Sequence, residues 1–255
     1  MSDNAQLPPE VDLERLFHKK SVFDSTDNLR DLGFEILRES KSEKVVVASH
    51  RSAPGFLFKK FLSDVSLSWQ EQLLVYEKRV NGARSLRDHL DKLRIEKITL
   101  PRKWLCELPP QFDRKHGGPS HIVVVERHAI LDPEESARRY RRIDEDLLRD
   151  LCTILFTFRR VDFTPKNAPF IRDGRISFID TGYLTRIKNK KNLSSRRKSY
   201  DKNINRIADL GSGGFSDKVL RNGKVLWNDF VKREDLLPAS GTAGGQRGDG
   251  SRARA

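Results

Sequence analysis

Cysteine is scarce in this chain. The 255 residues contain two cysteines, Cys106 and Cys152, and no Cys-x-x-Cys pair. We therefore expect neither a disulfide framework nor a zinc knuckle, and a reducing compartment fits best. The expected location is the cytoplasm, with export as an effector left open.

Long apolar stretches are also missing. The longest apolar runs, such as Ile122 to Val125, have only four residues, whereas a membrane-spanning helix needs about 20 apolar residues. The N-terminus has no basic start followed by an apolar stretch, which a signal peptide requires. We expect no signal peptide and no transmembrane segment.

Several catalytic signatures are absent. The chain has no His-Glu-x-x-His pattern and no Gly-x-Ser-x-Gly pattern. Residues 211–214 are rich in glycine but lack the Lys-Ser/Thr that completes a P-loop. The sequence therefore argues against zinc metalloproteases, the commonest serine hydrolases and P-loop NTPases, and 211–214 is predicted to be a plain turn.

What the chain does contain is enough apolar material for a core, together with a large positive charge. Hydrophobic residues make up 36% of the sequence, with 14 Phe and three Trp, and the net charge is +13. This excess raises nucleic acid or an anionic surface as partners. Residues 186–206 hold nine Lys or Arg against one Asp. This basic segment either binds an acidic partner or is a solvated, partly helical stretch, and both interpretations stay open.

Hydrophobic periodicity predicts a mixture of strands and helices. Strands are predicted at residues 33–37, 44–49, 56–62, 98–100 and 121–126, and helices at 11–17, 67–93 and 143–159. The first three strands follow one another and indicate an antiparallel meander. Asn81-Gly82 predicts a break in the long helix. From residue 239 onward Gly, Ser, Arg and Ala dominate, which is typical of a disordered tail.

The most informative stretch is residues 161–182, VDFTPKNAPFIRDGRISFIDTG. Asp162 and Asn167 lie on a Pro-containing loop, and Asp180 follows at the end of a strand. Magnesium prefers oxygen ligands and keeps several waters, so one carboxylate and one amide can hold it against phosphates. Phosphoryl transfer also needs a carboxylate near the attacking hydroxyl. The stretch supplies one residue for each role.

This stretch resembles the catalytic loop and metal-binding segment of the protein-kinase-like superfamily, in which Asp-x-x-x-x-Asn precedes a strand pair and Asp-x-Gly. The resemblance implies Asp162 as catalytic base, Asn167 and Asp180 as magnesium ligands, and ATP and Mg²⁺ as cofactors. It also implies an α+β fold with two lobes: an antiparallel sheet with one long helix, then a reduced, mainly helical C-lobe. A surface loop followed by a plain hairpin is the structural alternative.

The resemblance implies further nucleotide-site residues upstream. Alternation puts Leu57, Lys59 and Phe61 on one face of their strand, and Lys60 on the other. Lys59 is favoured over Lys60 as the phosphate-binding lysine, because an apolar residue lies two positions before it. Glu77, beside the apolar face of the long helix, is its candidate partner. Backbone groups near Glu126 and His128 are the candidates for adenine binding.

The chain departs from the family in several respects. Residues 38–43 contain no glycine, Arg160-Val161 precede Asp162, and no Ala-Pro-Glu follows Asp180. The predicted divisions are a flexible tail (1–10), an N-lobe with a helical extension (11–126), a reduced C-lobe containing the basic segment (127–238) and a disordered tail (239–255).

The leading hypothesis for function is an ATP- and magnesium-dependent phosphotransferase acting on a protein hydroxyl. A pseudokinase that serves as a binding scaffold is the first alternative. The second is a nucleic-acid or anionic-surface binding protein that uses the basic segment.

Overall fold

The computed structural model describes residues 7–18, 22–40, 44–62, 65–109, 112, 120–159, 161, 163–182, 184–186, 193–211 and 214–236. The candidate base Asp162, residues 187–192 of the basic segment and both chain ends lie outside these ranges. Within these ranges, no helix combines the length and the apolar character that crossing a membrane requires.

The described residues form seven helices and nine strands. The helices are α1 (Leu13–Leu16), α2 (Thr26–Asp31), α3 (Trp69–Leu93), α4 (Pro133–Tyr140), α5 (Glu145–Thr157), α6 (Leu193–Ala208) and α7 (Gly214–Leu236). The strands are β1 (Phe34–Ser40), β2 (Val45–His50), β3 (Phe56–Phe61), β4 (Ile98–Thr99), β5 (Lys103–Glu107), β6 (His121–Glu126), β7 (Phe158–Arg159), β8 (Ile176–Ser177) and β9 (Thr185–Arg186).

A five-stranded antiparallel sheet, in the order β1-β2-β3-β6-β5, organises the first half of the chain. The predicted meander of β1, β2 and β3 is confirmed. No strand is predicted at β5, because its five residues mix Lys103 and Glu107 with apolar side chains. Pairing of β5 with β6 makes it a strand, which illustrates how strongly strand formation depends on neighbours.

The two faces of the sheet bury different layers. One face packs on the N-terminal helices through Phe17, Phe34, Phe58 and Val124, among other residues. The opposite face packs on α3, where Phe61, Val123 and Val125 meet Tyr76 and Val80. The side chains of β3 therefore alternate between a helical extension and α3, as period-two geometry requires.

The long helix α3 is continuous, so the predicted break at Asn81-Gly82 is wrong. Ser68 caps its N-terminus in a capping box with Glu71, and Arg94 ends it in a left-handed conformation. The buried stripe includes Tyr76, Ala83 and Leu86. Packing along this stripe holds Gly82 in the helix despite the low helix propensity of glycine.

The second half of the chain is mainly helical. Helices α4 to α7 surround one apolar core, to which Leu151, Ile154, Phe163 and Ile207 belong. The α+β fold class, with an antiparallel sheet in the N-lobe and a helical C-lobe, is thus confirmed. Short strands complete the C-lobe: β4 pairs with β8 in parallel, and β7 pairs with β9 antiparallel.

Candidate functional site

The hairpin around residues 167–180 sets the geometry of the site. The backbone N–H of Ile179 donates to the carbonyl of Asn167 at 2.9 Å, and Ser177 donates to Pro169 at 2.8 Å. On the loop side, the N–H of Asn167 donates to the carbonyl of Thr164 at 2.9 Å. These bonds bring Asn167 beside the residue that precedes Asp180.

Asp180 follows β8, whose position is fixed by a backbone bond from Phe178 to Thr99 of β4 at 3.0 Å. Its carboxylate is exposed, and Oδ1 accepts from the N–H of Gly182 at 3.1 Å. Desolvation by the surrounding protein raises the pKa of Asp180, but the Gly182 bond and the charges of Lys59, Arg79 and Lys103 outweigh it, so the pKa lies below its usual value. Asp180 is therefore ionised at neutral pH.

Lys59 lies on the face of the sheet that packs on α3. It is half-buried and opposes Val47 and Val123 on the neighbouring strands. Burial lowers the pKa of Lys59 to about 8, and the charge of Arg79 adds to this effect, whereas Asp180 opposes it. Lys59 and Asp180 thus interact electrostatically across the site.

Lys60 lies on the opposite face of β3. Its side chain is 6% exposed, and its ammonium lies 5.2 Å from the ring centroid of Phe23. Lys60 is therefore enclosed by the apolar layer under the N-terminal helices, and Lys59 is the lysine on the side of Asp180. The assignment of phosphate binding to Lys59 stays a prediction.

Glu77 of α3 is exposed. Among the ion pairs of the described residues, none joins it to Lys59. The α3 residue that acts on the site is Arg79, whose charge influences the pKa values of Lys59, Lys103 and Asp180. Sequence reasoning missed Arg79, although its position three residues after the buried Tyr76 would have indicated the edge of the apolar stripe.

Lys103 was also missed, because β5 is not predicted as a strand. Its Nζ donates to the carbonyl of Ile179 at 3.0 Å and to Oγ1 of Thr181 at 2.6 Å. Burial and the like charge of Lys59 lower the pKa of Lys103 well below its ordinary value, against the attraction of Asp180. The alternation of Trp104 and Cys106 with Lys103 and Leu105 is the signal that could have found it.

The candidate adenine-binding residues lie where the sheet meets the helical half. Nδ1 of His128 is 2.8 Å from Oγ of Ser177, and Nε2 is 3.6 Å from the carboxylate of Glu126. Burial lowers the pKa of His128, with Glu126 opposing this shift. The N–H of Glu126 donates to Arg102, and the carbonyl of His128 accepts from Ile130. Those two backbone groups are therefore already used within the chain.

Asp162 lies outside the described residues, but its neighbours are placed. Val161 and Phe163 are buried, and the N–H of Phe163 donates to Oδ1 of Asn203 on α6 at 3.2 Å. Helix α6 thus anchors the loop that carries the candidate base.

The donor set suits magnesium better than a softer metal. Asn167 and Asp180 offer an amide and a carboxylate oxygen, which are hard ligands that leave positions for waters and phosphates. No cluster of three or more His, Cys, Asp or Glu side chains suited to a metal occurs in the described ranges.

Comparisons with known proteins give a distant structural likeness. No protein-family model and no curated protein matches the chain. Among solved structures, WbdD bound to the kinase inhibitor LY294002 aligns with a TM-score of 0.39 and 15% identity, covering 80% of this chain and 46% of that one. A structure described as the bifunctional kinase-methyltransferase WbdD aligns at 0.38 and 11%, covering 77% and 44%. This chain therefore spans about half the length of these proteins, and similarity at this level does not establish family membership.

Proposed function

We propose that this chain is an ATP- and magnesium-dependent phosphotransferase. The observation that carries the proposal is the arrangement around Asp180: an ionised carboxylate beside the Asn167 loop, close enough to the half-buried Lys59 for each charge to influence the pKa of the other. A cation close to two hard oxygen ligands is suited to a nucleotide polyphosphate with its metal. The acceptor proposed is a protein hydroxyl.

Each residue has one task in this mechanism. Lys59 binds the phosphates, and Asn167 with Asp180 holds magnesium. Bound magnesium neutralises charge on the transferring phosphoryl group. Asp162, the base implied by the family resemblance, accepts the proton of the acceptor hydroxyl as its oxygen bonds to the γ-phosphorus. The bond from that phosphorus to the β,γ-bridging oxygen breaks, and ADP leaves.

A catalytically weak binding scaffold is the second candidate. It is favoured by the exposure of Glu77 and by the lack of an ion pair with Lys59 among the described residues, since active protein kinases need such a pair in place. A scaffold would bind nucleotide without releasing ADP.

Thermal unfolding with and without ATP and Mg²⁺ tests the proposal. Ligand at a hundredfold its dissociation constant adds about 2.7 kcal/mol of stability, or roughly 5–10 °C for a chain of this size. We expect this shift for the native protein and its loss in Asp180→Asn. Asp173→Asn, which removes an exposed carboxylate from the same hairpin, is the matched control and should retain it.

The shift must be accompanied by transfer of the γ-phosphoryl group to a hydroxyl-bearing acceptor, with release of ADP. A shift without turnover would support the scaffold. No shift in the native protein would rule out both nucleotide-binding candidates.

A further inference from the structure

The backbone on both sides of Asp180 is held by one lysine side chain. Lys103 reaches from β5 and donates to the carbonyl of Ile179 and the hydroxyl of Thr181, the residues directly before and after Asp180. Two bonds from one ammonium to flanking residues restrict rotation of the peptide units that carry the Asp180 carboxylate.

Thr181 extends this contact to α3. Its side chain is fully buried, and while Oγ1 accepts from Lys103 it donates to the carbonyl of Arg79 at 2.7 Å. The carbonyl of Thr181 lies against Gly82, where an added methyl group would overlap it. A continuous set of contacts therefore runs from β5 through Thr181 to α3.

These contacts link α3 to Asp180 through backbone groups, and Glu77, the acidic candidate of this helix, takes no part in them. Glu77 is exposed, so α3 is linked through the Arg79 carbonyl and the close approach at Gly82. Hydrogen-bonded partners behind a metal ligand fix its orientation, and their loss typically costs 10–100-fold in metal affinity or activity.

We propose that Lys103 and Thr181 are positioning residues that fix Asp180 for magnesium binding by joining it to β5 and α3. This assignment rests on the proposed function. Stability alone gives little reason for a lysine here, because removing a charged amine from water carries a desolvation cost. The like charge of Lys59 makes the position still less favourable for a cation whose only task is packing.

Magnesium titrations of ATP-dependent thermal stabilisation test the assignment. Thr181→Val removes the hydroxyl but keeps the shape, and Thr181→Ser keeps the hydroxyl. We expect Thr181→Val and Lys103→Met to raise the magnesium midpoint about 10–100-fold, while binding of ATP in EDTA changes by less than about threefold. Thr181→Ser should restore the native midpoint to within about threefold. Lys97→Met, which removes an exposed lysine paired with Asp144, is the matched control and should leave it unchanged.

The outcomes separate the two proposals. An unchanged magnesium midpoint in Thr181→Val, with the native protein responding normally, would overturn the positioning role alone. Equal losses of ATP binding with and without magnesium, not rescued by Thr181→Ser, would show a merely structural role. No response of the native protein would overturn the proposed function and the assignment that rests on it. If Lys103→Met does not fold, the Thr181 pair decides.

Discussion

The neighbouring lysines of β3 have opposite environments. Lys59 faces α3 and Asp180, and its pKa is lowered to about 8, whereas Lys60 is buried over Phe23 on the other side of the sheet. Strand alternation alone predicts that the two point in opposite directions. Which direction leads to the site depends on where α3 packs.

The two lysines should therefore separate ligand binding from stability. Lys59→Ala is expected to abolish the stabilisation by ATP and Mg²⁺, because the phosphate-facing cation is lost. Lys60→Ala is expected to keep it but to lower the free energy of unfolding by about 1–2 kcal/mol, the range for a desolvated cation–π contact. Urea unfolding with and without ligand measures both quantities. The reverse behaviour would mean that Lys60 contacts the nucleotide.

At residue scale, the sequence predicts site residues well when they lie close together along the chain. It predicts poorly those that distant helices or strands bring to the site. Asn167 and Asp180 lie in one hairpin, so spacing and turn signals indicate their proximity. Arg79 and Lys103 reach the same region only through the packing of α3 and β5. Local patterns can place Arg79 at the edge of a helix stripe and Lys103 on a strand, but they do not encode which site the two side chains reach.

Helix α3 shows the same limit at the scale of an element. Its apolar stripe predicts the helix, and the structure shows that a capping box of Ser68 with Glu71 fixes where it begins. Gly82 is misinterpreted as a break because its function is steric: it allows the Thr181 carbonyl to approach the helix. Glycine at a close backbone contact and glycine at a break are identical in the sequence.

Gly82→Ala tests this steric interpretation. In an open helix the substitution should stabilise by about 0.5–1 kcal/mol, because alanine has the higher helix propensity. Overlap with Thr181 reverses the sign here, and we expect destabilisation of about 1–3 kcal/mol, typical of overpacking, with a weaker response to magnesium. Asn81→Ala, at the exposed neighbouring position, is the control and should be neutral or stabilising. A stabilised Gly82→Ala protein would disprove the close contact.

For the whole molecule, the positive charge is divided between structure and surface. Within the basic segment, Arg196 is buried, lies 4.2 Å from the Phe156 ring centroid and donates to the Phe156 carbonyl. Arg197 lies over Trp227 and pairs with Asp201. These two arginines stabilise the packing of α6, a role that the sequence does not reveal because a cation on an aromatic face and a solvated cation give the same pattern.

Lys198 and Lys202 are the cations of α6 that face solvent. If α6 contacts an anionic partner, these are the side chains through which it acts. Each phosphate contact contributes about 0.9 to the slope of log affinity against log salt concentration for duplex DNA. We therefore expect Lys198→Ala/Lys202→Ala to lower affinity for a duplex DNA probe and to reduce that slope by up to about 1.8, with the response to ATP and Mg²⁺ unchanged.

The control is Lys78→Ala/Lys92→Ala, which removes the same charge from exposed positions of α3. Equal losses in the two double variants would indicate attraction by net charge alone, so a larger loss on α6 is required for this helix to be a binding surface.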